Sequence, residues 1–122
     1  MVLEKVLQTN KSTQLAAYAV WEPILRTDDA RSSRKATTLL PDARVRHFWT
    51  ATQDLGVLFE PAIDLASEPA WDVYLVYPPG VAWDGQRPPR PAYFMHQLAG
   101  RLPEDRMLDG DALAERIQEF TR

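Results

Sequence analysis

"SEPAWDVYLVYPPGVAWDG", residues 67 to 85, is a run of strand-forming residues bounded by prolines and glycine. Pro69 leads into it and Pro78-Pro79-Gly80 closes it, so the alternation between them predicts a strand. Val73, Leu75 and Tyr77 fall on one face of that strand, with Tyr74 and Val76 on the other. The triplet Ala-Trp-Asp occurs at both margins, at residues 70–72 and 82–84. "AYFMHQL", after the proline-rich connection "WDGQRPPRP", supplies the expected antiparallel partner. Gly100 and Pro103 then mark the end of that second strand.

Working toward the C-terminus, "DGDALAERIQEF" predicts a helix capped by Asp109 or Asp111, with Leu113, Ile117 and Phe120 as its buried stripe. Toward the N-terminus, Leu55, Leu58 and Phe59 predict a helix capped by Thr50 or Thr52 and interrupted or ended by Pro61. "PAIDLASEP" continues it as a turn or helical fragment. "ARVRHFWT" predicts a further strand. In "RTDDARSSRKATTLLP", Thr27 or Asp28 caps an expected helix, Asp29 adds favourable charge to its first turn, and Pro41 stops it. "QLAAYAVW" reads as a strand suited to burial on both faces. Val2, Leu3, Val6 and Leu7 recur at helical spacing up to Asn10. The order is helix, strand, helix, strand, helix, strand, strand, helix. It predicts an α/β fold: a mixed sheet, parallel first and antiparallel last, with helices on both faces.

The chain of 122 residues is sized for one domain, 1–122, and has ordinary hydrophobic and charged fractions. Its net charge of −3 argues against nucleic acid or an anionic membrane as main partner. No apolar run reaches the length of a membrane span. Glu4 and Lys5 inside the first apolar pattern argue against a signal peptide, so cytoplasmic residence is the expectation. The absence of cysteine excludes disulfides, thiolate metal sites and a thiol nucleophile.

These segments resemble the thioredoxin-like superfamily, its redoxin-type members in particular. There a proline precedes a hydrophobic strand that turns through a glycine into its antiparallel neighbour. In "EPAWDVYLVYPPG", Pro69 resembles the family's cis-proline and Gly80 its hairpin glycine. "DGDALAERIQEF" resembles the last helix, and "AAYAVWEPILRTDD" the strand and loop before an extra helix. "RVRHFWTATQDLGVLFEP" resembles the next strand and the helix before the proline. The resemblance runs from about residue 14 onward, and two registers satisfy it. In one, "VWEPIL" occupies the place of the Trp-Cys-x-x-Cys loop with both cysteines absent. In the other, which fits the later segments better, "MVLEKVLQTN" is the remainder of the helix after the cysteine motif. The first strand and the motif are then missing, and a central sheet position stands empty unless a partner fills it.

Glu22, with Asp28 and Asp29, sits beyond a strand end, where a carboxylate serves as base or cation ligand; helix capping by the aspartates is the simpler reading. His47 and His96 with Glu22 or Asp28 contain the donors of a metal site but no local ligand spacing. The serines lack a nucleophile motif, no phosphate loop is present, and "RSSRK" and "ARVRH" read as solvated clusters. The surplus of tryptophan, Trp21, Trp49, Trp71 and Trp83, is mostly core. Trp71-Asp72 and Trp83-Asp84 at the hairpin margins, and Trp21-Glu22 at a strand end, are the expected docking residues. Pro69 is the expected structural proline. "GQRPPRP" reads as a polyproline II segment or a stiff loop guarding a sheet edge.

The resulting expectation is a thioredoxin-like domain without thiol chemistry or cofactor. It acts by binding a protein partner or by forming a homodimer. The alternatives are a truncated thiol–disulfide oxidoreductase relative with its cysteine motif upstream of Met1, and a non-thiol enzyme using Glu22, Asp28 or His47.

Overall fold

The computed structural model describes residues 2–23, 42–66 and 69–121. The helix expected between residues 26 and 41, including Thr27, Asp28 and Asp29, lies outside them. Helix α1 (Val2–Thr9) is followed by strands β1 (Ala17–Trp21) and β2 (Val45–Trp49). Helix α2 (Asp54–Phe59) runs into a 3-10 turn (Glu60–Ile63), and β3 (Val73–Val76) precedes β4 (Tyr93–His96). A second 3-10 turn (Glu104–Arg106) leads to α3 (Gly110–Phe120). The fold is mixed α/β.

The strands form two separate two-stranded sheets among the described residues, which corrects the expectation of one mixed sheet. β1 and β2 are parallel, from Ala17 opposite Val45 to Trp21 opposite Trp49. β3 and β4 are antiparallel, from Val73 opposite His96 to Val76 opposite Tyr93. Both pairings follow the expected directions. Among the described residues β1 and β3 each bond a single strand neighbour, and no ladder joins one to the other.

β3 buries both faces, as its alternation requires. Val76 packs with Met95, Val6, Leu113, Ala114 and Ile117, and Tyr74 and Tyr93 lie against the same cluster. Val73, Leu75 and Phe94 face a second cluster of Ile63, Leu65, Ala70, Leu98 and Leu102. Tyr77 falls just past the strand, where its hydroxyl donates to the Pro89 carbonyl at 2.8 Å. Gly80 takes φ 86° in the turn, a conformation that a Cβ disfavours.

α3 starts where its aspartates predict. Asp109 is the cap, its carboxylate accepting from the Asp111 and Ala112 amides at 2.9 and 3.1 Å. Leu113 and Ile117 are buried and Phe120 is half-buried. α1 lies alongside, with Val6 in the β3–β4 cluster and Leu7 packed on Val45 beside Ala17 and Ala19.

The C-terminus of α1 is closed by a side chain far away in sequence. Arg44 donates to the carbonyls of Leu7 (2.8 Å), Asn10 (2.6 Å) and Ser12 (3.1 Å). Asp42 holds the same guanidinium from Nε and Nη2 at 3.0 and 2.9 Å. Cations near a helix C-terminus satisfy orphan carbonyls and oppose the helix dipole. "ARVRH" therefore contains a structural arginine and is more than a solvated cluster. Asn10, also buried, donates to Thr121 at 2.9 Å and joins α1 to the end of α3.

β1 departs from expectation. It begins at Ala17 after a turn at Thr13–Gln14, and it buries one face only. Tyr18 and Val20 are exposed on the other, so "QLAAYAVW" is not covered on both sides. Its inner positions carry small alanines that let Leu7 and Leu15 approach.

Candidate functional site

The end of β1 brings together Trp21, Glu22, His47 and Trp49. Register places Trp21 beside Trp49 and near His47. The Trp21 indole N–H donates to His47 Nδ1 at 3.2 Å, and the rings stack at 6.1 Å with 9° between planes. With Nδ1 accepting, a neutral imidazole carries its proton on Nε2. That Nε2 is buried without a hydrogen-bond partner, a cost of about 1–3 kcal/mol.

Glu22 follows immediately. Its Oε1 accepts from the Gly56 amide in α2 at 2.7 Å. Burial raises the carboxyl pKa above its ordinary value, and the Gly56 N–H opposes that shift. Glu22 thus caps α2 from outside the helix. The local N-cap, Gln53, makes no such bond and instead donates to the Pro23 carbonyl at 3.1 Å. Thr52 and Thr50 do not hold the N-cap position expected of them. Thr52 Oγ1 accepts from Asp54 N at 3.3 Å, and Thr50 Oγ1 donates to the Thr52 carbonyl at 2.9 Å.

Gly56 is the residue that the sequence reading missed. Its amide meets Glu22 while its carbonyl accepts from Ala70 N at 2.9 Å, one residue after Pro69. A Cβ at Gly56 would lie 2.6 Å from the Ala70 carbonyl oxygen, so only glycine allows this approach. The signal was a lone glycine inside the helical pattern "DLGVLF". Pro69 is half-buried beside this contact. Among the described residues no peptide bond is cis, and the bond into Pro69 involves Glu68, which lies outside them.

The two hairpin tryptophans occupy different environments. Trp71 packs half-buried on the Ile63–Leu102 cluster, whereas Trp83 is 45% exposed and meets Phe59 edge to face at 5.6 Å. No ring contact joins them among the described residues. Asp72 takes φ 50°, and its carbonyl accepts from Gln97 at 3.0 Å, which sets the start of β3. Asp84 is exposed.

His96 is fully buried and fully bonded. Nδ1 accepts from Leu98 N at 2.9 Å and Nε2 donates to the Pro103 carbonyl at 2.7 Å. It sits in β4 and His47 in β2, each with its own partners. Among the described residues no group of three or more histidines and carboxylates is placed to hold a metal ion. Asp28 lies outside the described residues.

The outer face of β1–β2 carries a feature the residue types alone did not single out. Tyr18, Phe48 and Val20 are 64%, 49% and 40% exposed, and Tyr18 stacks on Phe48 at 6.3 Å. Parallel pairing sets Val20 opposite Phe48, so the three side chains form one contiguous apolar face. Among the described residues no helix is long and apolar enough to cross a membrane. The chain matches no protein-family model, no curated protein and no solved structure.

Proposed function

We propose that the protein is a thioredoxin-like domain without thiol chemistry that acts by docking to protein, in the first instance to a second copy of itself. The observation that carries this reading is the apolar face of Tyr18, Val20 and Phe48 on β1–β2. Large apolar side chains grouped on a surface gain about 25 cal/mol for each Å² they remove from water. A two-fold dimer sets the same patch of each copy against the other, which satisfies such a face without a second kind of surface.

The order of elements, a parallel pair followed by an antiparallel pair and a closing helix, supports the thioredoxin-like assignment. The cysteine-free sequence leaves such a scaffold no redox step of its own. Glu22 and His47 are engaged in holding α2 and Trp21, and this geometry favours docking over acid–base chemistry by those groups.

Light scattering coupled to size exclusion tests the reading. The expected mass is twice the 13.9 kDa chain, falling to 13.9 kDa in Phe48→Ser. A mass of 13.9 kDa for the unaltered protein over the whole accessible concentration range would overturn self-association.

A further inference from the structure

Arg106, in the second 3-10 turn, is half-buried and has an unusual set of neighbours. Arg44, Arg90 and Arg116 are each paired with a carboxylate, on Asp42, Asp64 and Glu119. The Arg106 guanidinium lies instead over two rings, 4.7 Å from the Tyr93 centroid and 5.4 Å from that of Phe94. Among the described residues no carboxylate meets it. A ring attracts the cation through its quadrupole without using an N–H, so the guanidinium donors stay available to an acceptor.

The backbone that carries Arg106 is pinned by His96, the buried histidine of β4. His96 Nε2 donates to the Pro103 carbonyl at 2.7 Å, and the same carbonyl accepts from Arg106 N at 3.1 Å. Beyond the turn, Leu108 N donates to the His96 carbonyl at 2.8 Å. One residue thus holds the turn on both sides of Arg106. With the cation fixed by this backbone and by the two rings, a ligand has less ordering to bring about on binding.

Arg106 and Phe94 line an open cleft of about 580 Å³, together with the buried Ile63 and Leu102. That volume falls among those of small-molecule sites. Its charged residues are Arg101, Arg106, Asp64 and Asp105, and Arg90 holds Asp64 at 2.8 and 3.1 Å. Such a balance favours a singly charged anion over a phosphate dianion, which the carboxylates would repel more strongly. We infer that the cleft binds a small carboxylic acid with an aromatic body, its carboxylate on Arg106 and its ring against Phe94, Ile63 and Leu102. A planar guanidinium matches a carboxylate in a two-bond fork, and partial burial reduces screening by salt. Phe94 offers the ligand a ring for stacked or edge contact, and the aliphatic side chains take up the rest of its apolar surface. None of these residues belongs to the Tyr18–Phe48 face, so the inference goes beyond the docking reading and does not depend on it.

The test is an NMR titration of the full chain with phenylacetate, and with the neutral phenylacetamide at matched ionic strength. Phenylacetate should give saturable shifts at Phe94, Leu102 and Arg106, with a dissociation constant of about 1 mM or below. Phenylacetamide should bind at least about tenfold more weakly, as should phenylacetate to Arg106→Gln. Arg106→Lys should recover only part of that loss, because an ammonium lacks the fork. The comparison of acid with amide uses the unaltered protein and so holds even where a variant folds poorly. Absence of saturable shifts up to about 20 mM overturns the inference. So does equal binding of acid and amide, undiminished binding to a folded Arg106→Gln, or a response confined to Tyr18 and Phe48. Tighter binding of acetyl-glycyl-glycyl-phenylalanine than of phenylacetate would assign the cleft to a polypeptide terminus and overturn the small-molecule reading.

Discussion

The β3–β4 and β1–β2 pairs are of similar length and composition, yet they live in different surroundings. β3–β4 is covered on both faces, by α1 and α3 on one side and by the Ile63–Leu102 cluster on the other. Its outer edge is met by the segment after the second 3-10 turn, where Leu108 N donates to the His96 carbonyl at 2.8 Å. β1–β2 rests on Leu3, Leu7 and Leu15 with one face and exposes Tyr18, Val20 and Phe48 on the other. The difference shows that an apolar strand pair is stabilising core only where other elements reach it.

The largest expected effect tests that contrast directly. Leu113→Ala, at 1% exposure beneath β3–β4, should cost about 3–4 kcal/mol in urea unfolding. Phe48→Ser should stay within about 0.5 kcal/mol for the monomer. Comparable losses at both sites would erase the distinction.

Arg44→Ala comes next, with an expected loss of about 2–3 kcal/mol, because the Leu7 carbonyl in α1 and the Asn10 and Ser12 carbonyls just after it lose a charged donor together. Arg44→Lys should restore little of it, since an ammonium lacks the planar fork that Asp42 and the carbonyls share. The same cluster predicts an acid transition. Hydrogen bonds from the Arg44 side chain, then from its backbone N–H, hold the Asp42 carboxyl down to about 2. Its contribution is fully present above the unfolded value of about 3.9 and is lost as pH falls from there through the folded value. Thermal melts from pH 5 to pH 2 should show this decline, and Asp42→Asn should flatten it.

Gly56→Ala should cost about 2 kcal/mol, since a Cβ must displace the Ala70 carbonyl or the Glu22 carboxylate. It loosens the tie between the two pairs and should quicken exchange at Ala70 first. The smallest effect is expected of Glu22→Gln. Its amide oxygen keeps the Gly56 bond, and the burial that raises the carboxyl pKa no longer opposes a charge. A raised carboxyl withdraws stability as pH rises from the unfolded value through the folded one. Melts near pH 7 should therefore show Glu22→Gln equal to or slightly above the unaltered protein.

Much of the backbone plan was legible because its signals are local. Val73 to Val76 alternate, Asp109 stands where a helix begins, and Leu113 and Ile117 recur at helical spacing. The surroundings of the expected docking residues were less legible. Trp71 and Trp83 look alike in their Ala-Trp-Asp settings, yet one packs against Leu98 and Leu102 while the other reaches Phe59 from the surface. The pairing of Trp21 with His47 depends on the register between β1 and β2, which no short window contains. Arg44 looked like one charge of a basic cluster because the carbonyls it serves are more than thirty residues away.

By itself the amino-acid sequence determined the order of the described elements, the strand directions and the exclusion of thiol chemistry, since these depend on side-chain period, turn residues and composition. Tertiary structure alone decided that the described strands split into two pairs, that Gly56 joins Glu22 to Ala70, and that Tyr18, Val20 and Phe48 face outward. Each of those outcomes depends on which distant groups come within hydrogen-bonding or packing reach. Local propensity carries no information about that distance.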